Sequence, residues 1–584
     1  IYMRPAPDQE AEPRPIDPTG EYELLIDPHT MSDDYSVSVA IQAVSPDGKR
    51  LLYHVRDGGA DEREIRLLDV EAGVDLPDRL PWALYGTTAF TPDGDAFYYV
   101  LRDRTIGPRV YRHTIGTPMS EDVELFGEGH GPEKFINVRQ LEDGRYLLYT
   151  VPHGWSKHDI YVQDIAANGP ITPVVEDVYA HFNPQYIDGQ LYLHTDMGAS
   201  NYRVMAADLD NPGPENWREV IPEGEDVMQG FSLIDDKFYV RYLHNVSSQI
   251  KIFEKDGTPA GEMEIPEFHT ATIRGGRDGT AFLTLNGFTT PRTVYKVDLE
   301  TGEREVWDRQ ELDFDPTGIA VEQLWYTSKD GTRAPMFVVH RDDVELDGDN
   351  PTLLTGYGGF NVSRTPRFST RTAMWVERGG VWALATLRGG SEFGEEWHRA
   401  GQLENKQNVF DDFIAAAEHL IAAGYTNPKK LAIQGGSNGG LLVASALTQR
   451  PELYAAVLCT FPDVDMARFF LHTTRNNAPA LLEYGNGVIP EQFEFLRAYS
   501  PVQNVRDHVK YPAVMLATGD LDTRVPPLAA RKFTAELQAA TSSRKPVIIR
   551  YNPREGHAGG RGLSQSIENG AMEMAFLLQQ LGAN

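Results

Sequence analysis

Cysteine is nearly absent: the 584-residue chain holds one, Cys459. A single thiol excludes an internal disulfide and any metal site built from several cysteines. Its apolar neighbours, Ala455 to Leu458, mark it as a small buried hydrophobe. Basic residues are scarce beside acidic ones, 54 against 85, giving a formal net charge of −31. Such a chain lacks the Lys and Arg surplus that a phosphate backbone demands, so no nucleic-acid partner is expected. No uninterrupted apolar run reaches the length of a transmembrane helix, so no membrane span is expected. No leader peptide opens the chain, which points to the cytoplasm. The first residue is Ile1 and not Met, and loss of an upstream signal would instead make the compartment periplasmic or extracellular. Neither a phosphate-cradling loop nor a His/Asp ligand spacing rises above chance, so no cofactor and no metal are expected.

What is present is apolar material, 41% of residues, spread over a length that calls for two large domains. Residues 1–315 show short Tyr-, Val- and Leu-rich runs separated by turns, with little helical periodicity. One turn recurs, as in Ser45-Pro46-Asp47-Gly48 and Thr91-Pro92-Asp93-Gly94, each before an apolar triplet. Its aspartates fall at 47, 93, 143, 188, 236 and 278, spacings of 42–50 residues. Asp and Gly tolerate positive φ and so favour tight hairpins. Several strands per repeat at this period predict a β-propeller. Six blades are read directly, and a seventh is expected to draw on the first 30 residues.

From about residue 316 strands alternate with helices. A hairpin is predicted over Val321–His340, turning at Lys329-Asp330-Gly331. Strands follow at Thr352–Leu354, Val381–Leu387, Lys430–Gln434, Ala455–Thr460, Ala513–Thr518 and Pro546–Tyr551. Val409, Phe410, Phe413, Ile414, Ala417, Leu420 and Ile421 recur at helical spacing, and Gly424 suits the C-terminal cap. A last helix is predicted near Ile567–Leu581. This alternation means a mostly parallel sheet with reactive groups at the carboxyl ends of its strands. The domains are drawn as a propeller over 1–318 and an α/β-hydrolase domain over 319–584.

Gly435-Gly436-Ser437-Asn438-Gly439-Gly440 follows a strand and opens a helix, the setting of a G-x-S-x-G nucleophile elbow. The turn lifts the Ser437 hydroxyl and aims the Asn438 N–H at a developing oxyanion. A serine hydroxyl needs a base, itself oriented by an acid, and in this fold the chain order is Ser, acid, His. His557, flanked by glycines after a strand, is the candidate base; His472 and His508 follow no strand. Asp520 and Asp522 both suit the acid, and their position does not choose between them.

Gly356-Tyr357-Gly358-Gly359-Phe360, Leu387-Arg388-Gly389-Gly390, the elbow, Asp522-Thr523-Arg524-Val525 and Gly556-His557-Ala558-Gly559 together resemble the prolyl oligopeptidase family of serine peptidases. The resemblance implies a seven-bladed propeller capping an α/β-hydrolase domain. It selects Asp522 as the acid, Tyr357 as the second oxyanion donor and Arg524 as the ligand of a substrate carbonyl. It also implies a specificity pocket lined by Phe360 and Tyr484, with Val525 beside them. Two departures stand against it. Where proline-specific members carry a tryptophan that stacks on the substrate ring, this chain has Ala480; losing that platform costs about 0.5–1.5 kcal/mol of stacking. The family also has helices and first-blade strands ahead of the position matching Ile1, so an incomplete first blade is expected.

The reading that follows is a serine peptidase acting on short peptides after proline or a small residue, through an acyl-enzyme on Ser437. The alternative, motivated by Ala480, is an esterase or broad acyl hydrolase using the same triad.

Overall fold

The computed structural model describes residues 1–3, 22–82, 86–142, 144–276, 279–471, 478–557 and 562–583. Asp143, Asp278, His472, the stretch Arg475–Asn477 and Ala558–Gly560 lie outside the described residues. Between Val37 and Arg309 the chain forms six consecutive four-stranded sheets, each antiparallel. The first strands of neighbouring sheets lie side by side, as blades around an axis do. At the N-terminal end is a two-stranded ribbon, Tyr2–Met3 paired with Glu23–Leu24. Asp47, Asp93, Asp188 and Asp236 all sit in the turn joining the first and second strands of a blade. The Asp47 and Asp93 carboxylates each accept a hydroxyl hydrogen bond of 2.6 Å, from Ser45 and Thr91.

Side chains alternate across a strand, which explains why second strands are apolar throughout. In Ala96–Asp103, Phe97 and Tyr99 enter a core shared with the preceding blade, while Tyr98 and Val100 enter the next. In Tyr146–His153, Leu147 and Tyr149 face backward and Tyr146 and Leu148 face forward. Each blade is sealed to its neighbours by one strand that is buried on both faces.

The second half is one eight-stranded sheet. Its order is Ile319–Thr327, Arg333–Arg341, Val381–Ala385, Thr352–Thr355, Leu431–Gly436, Ala456–Thr460, Ala513–Gly519 and Val547–Asn552. The first two strands join it antiparallel; the remaining pairs are parallel. Val457 and Cys459 enter the core on one face with Phe410, Phe413 and Leu420 of helix Gln407–Ala422. Ala456 and Leu458 enter the opposite core with Phe576 and Leu577 of helix Leu563–Leu581. Arg388 pins this domain internally. Its guanidinium donates to Asp412 at 2.6 and 3.0 Å and to Asp330 in the hairpin turn. No helix among the described residues is long and apolar enough to cross a membrane.

Candidate active site

Strand Leu431–Gly436 turns into helix Asn438–Gln449 through Ser437 alone. Ser437 has φ 57° and ψ −122°, a conformation that a side chain resists. Two contacts over-determine it: the Ser437 N–H donates to the Thr460 carbonyl at 2.9 Å, and the Gly440 N–H donates back to the Ser437 carbonyl at 2.8 Å. The glycines are steric necessities. A Cβ on Gly435 would run into the Gly439 carbonyl, and one on Gly440 would lie 2.8 Å from Pro462. Cys459 is fully buried beneath this turn, its thiol donating to the Gly440 carbonyl at 3.3 Å.

The loops after the last two strands bring the other groups over the elbow. His557 Nε2 lies 3.1 Å from Ser437 Oγ, and His557 Nδ1 lies 2.8 Å from Asp522 Oδ2. The other Asp522 oxygen accepts backbone N–H groups from Arg524 (3.1 Å) and Val525 (2.7 Å). Asp522 is therefore buried with its carboxylate saturated on one side and aimed at the imidazole on the other. Asp520 is exposed and accepts from the Tyr551 hydroxyl; His508 is exposed, away from this cluster.

Comparison with known proteins shows the family. The model of the prolyl oligopeptidase N-terminal β-propeller domain matches residues 2–310, and that of the prolyl oligopeptidase family matches 366–584. A prolyl endopeptidase from Elizabethkingia miricola is 34% identical over 579 residues, covering 97% of this chain and 82% of that one. A structure from a mechanistic study of two prolyl endopeptidases superposes with a TM-score of 0.92 at 38% identity, covering 97% of this chain and 85% of the other. Oligopeptidase B from Leishmania major gives 0.90 at 25% identity, with 98% and 82% covered. The chain belongs to the prolyl oligopeptidase family. It is accordingly a serine-type peptidase.

The other residues that the resemblance to prolyl oligopeptidases singled out lie around this centre. The Asn438 side chain is clamped: its amide donates to the Tyr357 carbonyl at 2.5 Å, and its oxygen accepts from the Tyr484 hydroxyl at 2.9 Å. The ring of Tyr484 is fully buried, edge-on to Phe360 and Phe469 at 5.2 Å. Phe360 holds a left-handed backbone (φ 58°) because its N–H is anchored to Glu483 Oε1 at 2.8 Å. Val525 is buried. Arg524 is engaged with the propeller, donating to both oxygens of Asp61 at 2.8 and 3.0 Å.

Several contributors carried no signal in the sequence. Trp155, on the turn of a propeller hairpin, stands edge-on to Phe360 at 4.5 Å, and the adjacent Gly154 abuts Pro479 and Leu482 on either side of Ala480. Beneath the aromatics runs a buried charge chain. Glu483 lies 3.0 Å from His398 and 3.7 Å from Lys406. Burial lowers Lys406 to about 8 despite Glu483. Burial works against His398 as well, but Glu483 and Glu395 outweigh it and raise its pKa to about 9. Donor atoms of His181, Asp196 and Glu395 come within 4.8 Å of one another, close enough for a cation. Both His181 nitrogens are already committed, to Asp196 at 2.8 Å and to the Trp155 carbonyl at 2.5 Å, so the trio is satisfied as an ion-pair group.

Proposed function

We propose that this prolyl oligopeptidase relative cleaves short peptides after proline or a small residue, with Ser437 as nucleophile, His557 as base and Asp522 as its orienting acid. The carrying observation is the unbroken line from Asp522 through His557 to Ser437, at 2.8 and 3.1 Å. His557 takes the Ser437 proton as the hydroxyl attacks the scissile carbonyl. The oxyanion rests on the Asn438 N–H and the Tyr357 hydroxyl, which strengthen their hold as charge develops. His557 then protonates the leaving amine, and water attacks the acyl-enzyme with His557 again as base. Asp522 fixes the tautomer and favours the imidazolium.

Arg524, Phe360, Tyr484 and Val525 are the proposed substrate contacts. The missing platform at Ala480 argues for a pocket wider than a proline ring requires. The propeller, proposed to span 1–318, limits access to the site on the hydrolase domain, proposed to span 319–584. We place the enzyme in the cytoplasm. The family match and its peptidase relatives do not favour the esterase alternative.

Ser437→Ala tests the reading. Turnover of peptide reporters should fall on the order of 10⁶-fold, labelling by a serine-reactive phosphonate should vanish, and the melting temperature should hold. Retained turnover in the folded variant would refute the assignment.

A further inference from the structure

We propose that Asp463 is a specificity residue at the floor of the acyl pocket and that it recruits peptides carrying lysine or arginine on the acyl side of the scissile bond. The inference rests on the peptidase reading above and extends the range of side chains it admits.

The position is fixed by its neighbours. Thr460 holds the Ser437 amide through its carbonyl. Phe461 follows, its ring 5.7 Å from that of His557. Pro462 packs on the first turn of the elbow helix. Asp463 is next, so its Cα lies within about 10 Å of Thr460 on chain reach alone. It is part-exposed, while Pro462 and Val464 on either side are buried.

Its surroundings are unusual for an acid. Among the described residues no hydrogen bond or ion pair reaches its carboxylate. Asp465, two residues on, is fully engaged by Lys532, Arg468 and Gln503. The groups whose electrostatics couple to Asp463 are Asp522 and Tyr484, an acid and a phenol. Burial, with the Asp522 charge adding to it, pushes the Asp463 carboxyl up to about 8. The site's own cations are committed elsewhere: Lys406 donates to the Gly358 carbonyl at 2.8 Å and neighbours Glu483, and Arg524 is held by Asp61. A carboxyl left without a cation beside a reacting centre is complementary to one that arrives with the substrate.

The test compares otherwise identical reporters ending in lysine and in norleucine, which lacks the ammonium group, and in arginine and its neutral isostere citrulline, on the full chain. Wild type should favour the charged member in kcat/KM by about thirtyfold, the low end for a desolvated charge pair. In Asp463→Asn that ratio should collapse towards one, with folding checked by melting and the centre by phosphonate labelling of Ser437. A wild-type ratio near one, a preference for the neutral member, or a ratio unchanged by Asp463→Asn would each overturn the proposal. If Ser437 is labelled in those cases, the peptidase reading survives them; if it is not labelled, both fall.

Discussion

Replacing Asp522 by asparagine tests the proposed acid with the least steric change. The structure dictates how the amide must sit. One Asp522 oxygen accepts N–H groups from Arg524 and Val525, and only an oxygen can occupy that position. The amide nitrogen is then forced towards His557 Nδ1, where the carboxylate oxygen now lies at 2.8 Å. An N–H donor there requires Nδ1 to accept, so the imidazole proton moves to Nε2. That nitrogen faces Ser437 Oγ at 3.1 Å and can no longer take its proton. Loss of the correct tautomer in a serine triad costs about 10⁴-fold in kcat, equivalent to about 5.5 kcal/mol of transition-state stabilisation. The assay is kcat on a peptide reporter at neutral pH, with KM and melting temperature in parallel. The expected result is a fall in kcat of that size with KM nearly constant. Asp522→Asn retaining more than about a tenth of wild-type kcat would refute the orienting role, because a flipped tautomer cannot support that rate.

Three further outcomes follow from the packing. Arg388→Met leaves the fully buried Asp412 carboxylate without its guanidinium and should destabilise the protein by about 3–5 kcal/mol in urea denaturation, most of it regained in Arg388→Met/Asp412→Leu. Gly435→Ala drives a Cβ into the Gly439 carbonyl, so turnover should be lost even in preparations that remain folded by circular dichroism. His398 has its pKa raised to about 9 by Glu483 and Glu395 against the opposing effect of burial. Its contribution is therefore complete below the ordinary histidine pKa and is lost as pH rises through 9, at most about 3 kcal/mol. The stability advantage of the wild type over His398→Gln, read from paired denaturation midpoints, should therefore shrink as pH rises from 6 to 9, the opposing rise from Lys406 being present in both.

The fold was legible where local chemistry repeats. Asp-Gly turns fix hairpins without help from distant residues, so the blade period could be read from Asp47 to Asp236, and the apolar residues from Val409 to Ile421 that recur at helical spacing all fall inside helix Gln407–Ala422. The elbow was legible because its glycines answer to contacts within the same turn. Asp522 could not be separated from Asp520 by position, since both follow the same strand; what separates them is which carboxylate receives the Arg524 and Val525 amides, a property of loop conformation. Trp155, Asp61 and Asp463 were invisible for a related reason. Trp155 is a hairpin-turn residue until the propeller meets the segment around Ala480, Asp61 is a turn acid until it meets Arg524, and Asp463 is one of many acids until its lack of a cation is seen. Contacts between residues hundreds of positions apart leave no local pattern.

Those long-range contacts bear on how the centre is assembled. The proposed nucleophile, Ser437, is held by the sheet, through Thr460 and the glycines of its own turn. The proposed acid and base are held differently. The Thr523 hydroxyl donates to Glu62 at 2.8 Å, Arg524 grips both oxygens of Asp61, and Leu521 lies where a Cβ on Gly58 would stand. On the base loop, a Cβ on Gly556 would run into the Gly59 backbone. One hairpin of the first four-stranded blade, residues 58–62, therefore forms part of the bed on which both loops rest. Asp61 is almost fully buried, and withdrawing it would leave Arg524 without its carboxylate two residues from Asp522. Separation of the blade from the hydrolase domain would loosen the acid and the base while leaving the elbow intact. The Ser437–His557 distance is thus coupled to the contact between the domains, and a propeller that admits substrate by moving would switch the proposed triad as it moved.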